Sequence, residues 1–141
     1  MPQQISKEIL QNGIKDTDLD TLKQWGDFLA KKDFKKERDR NGRDRDITIT
    51  PLSTSQIRKF FGEIKRIQAD FDNSKNEIVL LDPKIAYAVG RAKKEGVSKI
   101  EDFYAQVSPL LREIHEDKAR FKNFVNIIEA IVAYHKAAGG N

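Results

Sequence analysis

The sequence predicts an all-α protein, a compact bundle of about five helices with a charged flexible loop near residues 31–50. Three observations carry this expectation. Apolar residues recur at three-and-four spacing in five separate segments. Helix-start signatures stand at the heads of several of them. No strand–helix–strand alternation and no internal repeat interrupts the pattern. A length of 141 residues fits one domain, large enough to bury roughly 68–70% of the surface its unfolded form exposes. Residues 1–30 form an N-terminal helical part, 31–50 the loop and 51–141 the main bundle.

The first stripe is Leu22, Trp25, Phe28 and Leu29, which starts near Thr17–Asp20, where short polar side chains can accept the first free N–H groups. It dissolves into a charged run over 31–46 that contains the turn signal Asn41-Gly42 and no apolar periodicity beyond Phe34. That run reads as a flexible loop. Ile47-Thr48-Ile49-Thr50 alternates like a strand but is short and stops at Pro51, so it reads as a two-residue bridge or extended chain. The next helix has the clearest start. Ser53-x-x-Gln56 is a capping box with Leu52 placed to staple onto Ile57. Ile57, Phe60, Phe61, Ile64, Ile67 and Phe71 follow on one face, and Asp72-Asn73-Ser74 ends it.

Asp82-Pro83 opens another helix, with Asp as cap and Pro at the first helical position. Ile85, Ala86, Val89 and Ala92 are its inner face and Gly96 its stop. Ser98-x-x-Glu101 is a second capping box, ahead of Ile100, Phe103, Tyr104, Val107, Leu110, Leu111 and Ile114. Pro109 lies inside this stripe and must remove one backbone bond, which predicts a kink or a break. The last helix spans about 118–138. Phe121, Phe124, Val125, Ile128, Ile131, Val132 and His135 form one face, and Ile127, Ala130 and Tyr134 widen it, as suits a central helix. Gly139-Gly140 ends it.

Charge is unevenly placed. The chain holds 26 Lys and Arg against 22 Asp and Glu, a net +4. Residues 31–45 hold eight basic and four acidic side chains, so the whole excess sits there and the rest balances to zero. A uniformly basic nucleic-acid clamp is excluded; basic residues gathered on one face are not. Arg and Asp alternate along the charged run, so it reads first as a solvated loop and second as an RNA-contacting arm. There are no cysteines, hence no disulfide framework or thiolate metal site. No apolar run approaches membrane-spanning length. A cytoplasmic protein with no membrane partner is the expectation.

Catalytic candidates are scarce. His115 stands among Glu113, Glu116 and Asp117 and reads as a surface histidine, while His135 falls on the core stripe of the last helix and reads as a packing residue. There is no phosphate loop, nucleophile elbow or paired-ligand spacing, so no catalytic residue, metal or cofactor is expected. The basic residues offer more. On a helical projection Arg58, Lys59, Lys65 and Arg66 share one sector with Gly62 near its middle, where a phosphate backbone has room to approach. An ordinary solvated face explains this sector slightly better. Lys84, Tyr87, Ala88 and Arg91 repeat the arrangement on the following helix, a tyrosine between two cations. A tyrosine covering a neighbouring helix explains that placement at least as well. Neither face carries a sequence code, because phosphate contacts position rather than specify.

Three segments then resemble a known family: LSTSQIRKFF (52–61), LLDPKIAYAVGRAK (80–93) and FKNFVNIIEAIVAYHKAAGG (121–140). Together they are similar to the small subunit of the type III-A CRISPR–Cas effector, the Csm interference complex, over about residues 50–140. The basic run looks like an insertion, and nothing of the family is carried onto it. The resemblance implies a helical bundle without catalytic residues. Several copies would stack as a filament inside the complex, beside its other subunits, and bind the backbones of guide RNA and target RNA in antiviral defence. The family's basic positions fall on Arg58, Lys59 and Arg91. Lys65, Arg66, Lys84 and Tyr87 join them from the helical-face argument, and Lys122 from its place beside Phe121. Glu129, Tyr134 and Lys136 match the third motif and suit packing at least as well. An assembly module that binds no RNA, a small helical DNA-binding regulator and, with least support, a metal-dependent nuclease are the competing readings.

Overall fold

Each apolar stripe becomes a helix in the computed structural model, which describes Met1–Asn141. The helices are α1 (Ile9–Asn12), α2 (Asp16–Ala30), α3 (Thr54–Ala69), α4 (Phe71–Ser74), α5 (Leu81–Lys93), α6 (Ile100–Arg112) and α7 (Lys118–Ala137). A 3-10 segment, Lys75–Leu80, leads into α5. The strands are β1 (Asp33–Arg38), β2 (Asp44–Thr50) and β3 (Val97–Ser98). None of the helices is long and apolar enough to cross a membrane.

The core explains the stripes. One cluster of 28 buried apolar residues draws on every helix, and α7 supplies Phe121, Phe124, Val125, Ile127, Ile128 and Ile131 to it. Helices α1, α2 and α3 all pack on α7, and α5 bridges α3 and α6. Phe60 of α3 meets Phe103 of α6 and Phe124 of α7 edge-on, with centroids 5.8 and 6.4 Å apart, the favoured geometry for aromatic pairs. Helix α3 opens as its sequence demands. The Ser53 hydroxyl accepts from the Gln56 backbone N–H, and the Gln56 side chain accepts from the Ser53 N–H.

Helix α2 crosses α7 at Gly26, where an added Cβ would stand 2.8 Å from the His135 backbone nitrogen. Glycine at this position sets how closely the two helices approach. His135 is buried and donates from Nε2 to the Leu52 carbonyl at 2.7 Å. Gly140 closes over its ring, leaving no space for a side chain.

The all-α expectation is corrected by a three-stranded sheet of order β1–β2–β3. The stretch read as a flexible loop is an antiparallel hairpin in register from Asp33↔Ile49 to Arg38↔Asp44. Asn41-Gly42, the turn signal of the sequence, is its reversal. The Gly42 N–H donates to the Asp39 carbonyl, and Gly42 takes φ +75. The Asp39 carboxylate accepts from the N–H groups of Asn41 and Arg43, both at 2.9 Å. This is a type I turn completed by a left-handed glycine, a common three-residue hairpin loop. Strand β2 then runs parallel to β3, pairing Ile49 with Val97 and Thr50 with Ser98. The hairpin escaped the periodicity reading because all of β1 is exposed and only Ile47 and Ile49 of β2 are half-buried.

Two smaller expectations are also revised. The second capping box does not form: the Ser98 hydroxyl accepts from the Ile100 N–H, and Glu101 pairs with Lys93 at 3.0 Å. Asp82 does not cap α5, which starts at Leu81; its carboxylate accepts from the hydroxyls of Tyr104 and Ser108 on α6. Helix α6 runs through Pro109 to Arg112, so no break occurs there.

Candidate nucleic-acid interface

The seven cations and one tyrosine singled out in the sequence are all exposed, and the four cations of α3 form two stripes on either side of Gly62. Arg58 and Lys65 are two turns apart on one stripe with Phe61 and Gln68. This side leads toward α7, where Gln68 and Phe71 share a shallow concavity of about 380 Å³ with Lys118 and Lys122. The Lys65 ammonium lies 5.8 Å from the centre of the Phe61 ring. Lys59 and Arg66 form the other stripe, which faces α5.

Between α3 and α5 runs an open groove of about 770 Å³. Leu52, Phe60, Leu81, Ile85 and Phe103 contribute its apolar floor, and Lys59, Glu63, Lys84, Tyr87 and Arg91 stand around it. Tyr87 is 69% exposed, with the Arg91 guanidinium 6.0 Å from its ring centre. Leu80 at the groove is exposed as well.

Compensation separates these cations further. Glu63 accepts from Lys84 at 3.0 Å and from Arg66 at 3.2 Å, and Glu77 accepts from Arg66 at 2.8 Å. Hydrogen bonds from Lys84 and then Arg66 hold the Glu63 carboxyl below its ordinary range. Arg66 does the same to Glu77, and the two carboxylates raise the guanidinium's own pKa in turn. Arg66 and Lys84 are therefore neutralised in place. Arg58, Lys59, Lys65, Arg91 and Lys122 take no part in the ion pairs of α3, α5 and the 3-10 segment. Glu63 lies on α3 itself, at i, i+3 spacing from Arg66. Glu77 was out of reach of sequence geometry, because only tertiary folding brings the 3-10 segment beside Arg66. Lys118 was also missed, although its i, i+4 spacing to Lys122 was a readable signal.

Neither histidine gathers a reacting group. His115 sits exposed in the α6–α7 turn, 4.0 Å from Glu113, and His135 is spent on the Leu52 carbonyl. No three His, Cys, Asp or Glu side chains converge as metal donors.

Comparison with known proteins joins this geometry to a family. The signature of the family described as Csm2 Type III-A matches residues 29–141. A protein of Streptococcus thermophilus described as CRISPR system Cms protein Csm2 is 33% identical over 96 residues, 63% of this chain and 74% of that protein. No solved structure matches the chain significantly. The family match spans most of the chain, hairpin and both sides of α3 included, and the chain belongs to the Csm2 family of type III-A CRISPR subunits.

Proposed function

We propose that this subunit of the type III-A complex is non-catalytic and binds RNA backbone without regard to sequence. Guide RNA and its paired target RNA are the ligands, and copies of the chain stack along them beside the other subunits. The observation that carries this reading is the set of exposed cations left without carboxylate partners: Arg58 and Lys65 on one side of α3, Lys59 and Arg91 at the groove, and Lys122 on α7. Such cations displace the counterions condensed on RNA when they neutralise its phosphates, so affinity falls steeply with salt and is indifferent to base sequence. Arg66 and Lys84, tied to Glu63, and the exposed Tyr87 stand beside these cations. Binding of single-stranded RNA by the Arg58→Glu/Arg91→Glu variant tests the reading. Affinity drops at low salt while helicity is kept; binding equal to wild type removes these residues from the site.

The groove favours a second reading for its own surface. Exposed Leu80 and Tyr87 beside an apolar floor, ringed by polar side chains, suit a protein partner better than phosphate. Under that reading Tyr87→Ala with Leu80→Ser lowers co-purification with the other subunits and leaves the isolated chain's RNA affinity unchanged. Lost RNA affinity with intact co-purification returns the groove to the RNA site.

A further inference from the structure

The β1–β2 hairpin carries side chains that neither side of α3 uses. Its inner face, where Asp33, Lys35 and Glu37 stand across from Ile49, Ile47 and Arg45, is internally paired: Glu37 meets Lys35 and Arg45, each at 3.5 Å. Its outer face holds Phe34, Lys36 and Arg38 across from Thr48, Asp46 and Asp44. Phe34 is 64% exposed, and the Lys32 ammonium lies 5.8 Å from the centre of its ring. Arg38 reaches Asp44 at 3.8 Å, while Lys32, Lys36, Arg40 and Arg43 pair with no carboxylate and are exposed. Of the nearby acids, Asp39 is committed to the turn N–H groups and Asp46 stands across from Lys36.

This arm is also held firmly at its root. Lys99 is 1% exposed, and its ammonium donates to Asp33 at 2.7 Å and to the Phe28 carbonyl at 2.6 Å, 4.0 Å above the Phe28 ring. The Lys99 N–H donates to the Thr50 carbonyl at 2.9 Å. A buried ammonium is costly unless paired in this way, so the pairing fixes the direction in which the hairpin leaves the body.

We propose that the outer face and turn of this hairpin are a second, separate contact for single-stranded RNA, with Phe34 stacking on a base and Lys32 and Lys36 of the face and Arg40 and Arg43 of the turn tracking the backbone. A lone exposed phenylalanine amid charges gains nothing from folding. A base has a π-face whatever its identity, so stacking on Phe34 adds affinity without adding sequence preference. Cations spaced along a ribbon suit a chain of phosphates. The proposal rests on the RNA-binding reading above but involves none of the same residues.

The test places a fluorophore at the proposed contact. The full chain carrying Phe34→Trp is titrated with a single-stranded RNA of mixed sequence at low salt, with wild type as the control, whose only tryptophan, Trp25, is buried. Stacking quenches the added emission, and raising the salt restores it. Phe34→Ala weakens binding on the order of tenfold, while circular dichroism stays that of wild type. If RNA binds wild type but leaves the Phe34→Trp emission unchanged, and Phe34→Ala binds normally, the arm is not a contact. If wild type binds no RNA, the RNA-binding reading falls and takes the arm with it. If Arg58→Glu/Arg91→Glu removes body binding while Phe34→Trp is still quenched, the arm stands as an independent contact.

Discussion

The hairpin and the helical body solve the same problem by opposite means. The body is organised by a shared apolar core, so any one of its helices is held by several neighbours. The hairpin buries almost nothing. It is ordered by its own backbone ladder, by cross-strand charges, by two parallel pairs to β3 and by one buried lysine at its root. Hydrophobic burial gives large, distributed stability. An ion-pair anchor gives orientation at one point, and its loss is felt locally. Substitutions in the body should therefore lower global stability, and substitutions at the root should free the hairpin alone.

The largest effect is expected from Phe124→Ala. Phe124 is fully buried at the centre of α7 and meets both Phe60 and Phe121. Truncation removes those contacts and leaves a cavity, costing about 3–5 kcal/mol. Chemical denaturation reads it as a lower midpoint, with the hairpin lost in the same transition. A hairpin that outlives the body would overturn this contrast, because its anchors, β3 and Lys99, belong to the body.

Lys99→Met comes next. The methionine keeps much of the stem packing and removes the ammonium that bonds Asp33 and the Phe28 carbonyl. The Phe28 carbonyl keeps only its 3.3 Å bond from the Lys31 N–H, and losing the charged hydrogen bonds costs about 1.5–3 kcal/mol. Hydrogen exchange should show β1 and β2 amides losing protection while those of α3 and α7 keep theirs. Equal loss in both regions would make Lys99 a part of the core rather than an anchor.

The same contrast sets what the sequence reveals. The helices of the body announce themselves because burial imposes a 3.6-residue period on residues such as Ile57, Phe60, Ile64 and Ile67. Nothing imposes a period on an exposed charged ribbon, so DFKKER and DRDITIT read as loop. The signals present were Asn41-Gly42 at the reversal and the Ile47–Thr50 alternation, and both count only when taken as the tip and return strand of one hairpin. Lys99 was hidden for another reason: a lysine beside a capping signal looks solvated, and only the returning strand buries it. On the candidate interface, spacing placed the basic residues of α3 on either side of Gly62. Which of them remain unpaired depends on Glu77, whose approach to Arg66 is tertiary.

A smaller effect belongs to the body's surface. Glu63→Gln removes the carboxylate that holds Lys84 and helps hold Arg66. These pairs are exposed and screened, so global stability should barely change. RNA affinity should rise about two- to fivefold at low salt, since a repelling charge is removed and a cation freed within a Debye length of the unpaired ones. An affinity that falls instead would show that Glu63 positions Lys84 for binding.

The smallest effect concerns acid, and it falls on the hairpin root. The hydrogen bond from Lys99, followed by its charge, lowers the Asp33 pKa below the ordinary aspartate value. A carboxylate whose folded pKa is depressed adds stability that is complete above its unfolded pKa, about 3.9. That contribution is lost as pH falls through the lower folded value. The root should thus hold through neutral and mildly acid conditions and open only below about pH 4. Asp102 also feels the Lys99 charge, but burial foremost and then Glu101 raise its pKa. It protonates before Asp33 and cannot replace it as partner. Once Asp33 is neutral, Lys99 is left a buried ammonium with only the Phe28 carbonyl and ring. The hairpin gains by swinging away so that water can reach the charge. Cross-strand NOEs between Asp33 and Ile49, followed against the titration of the Asp33 carboxyl, should weaken together with it while contacts within α7 persist. NOEs that survive full protonation of Asp33 would transfer the anchoring role to the backbone bonds of β2 with β3.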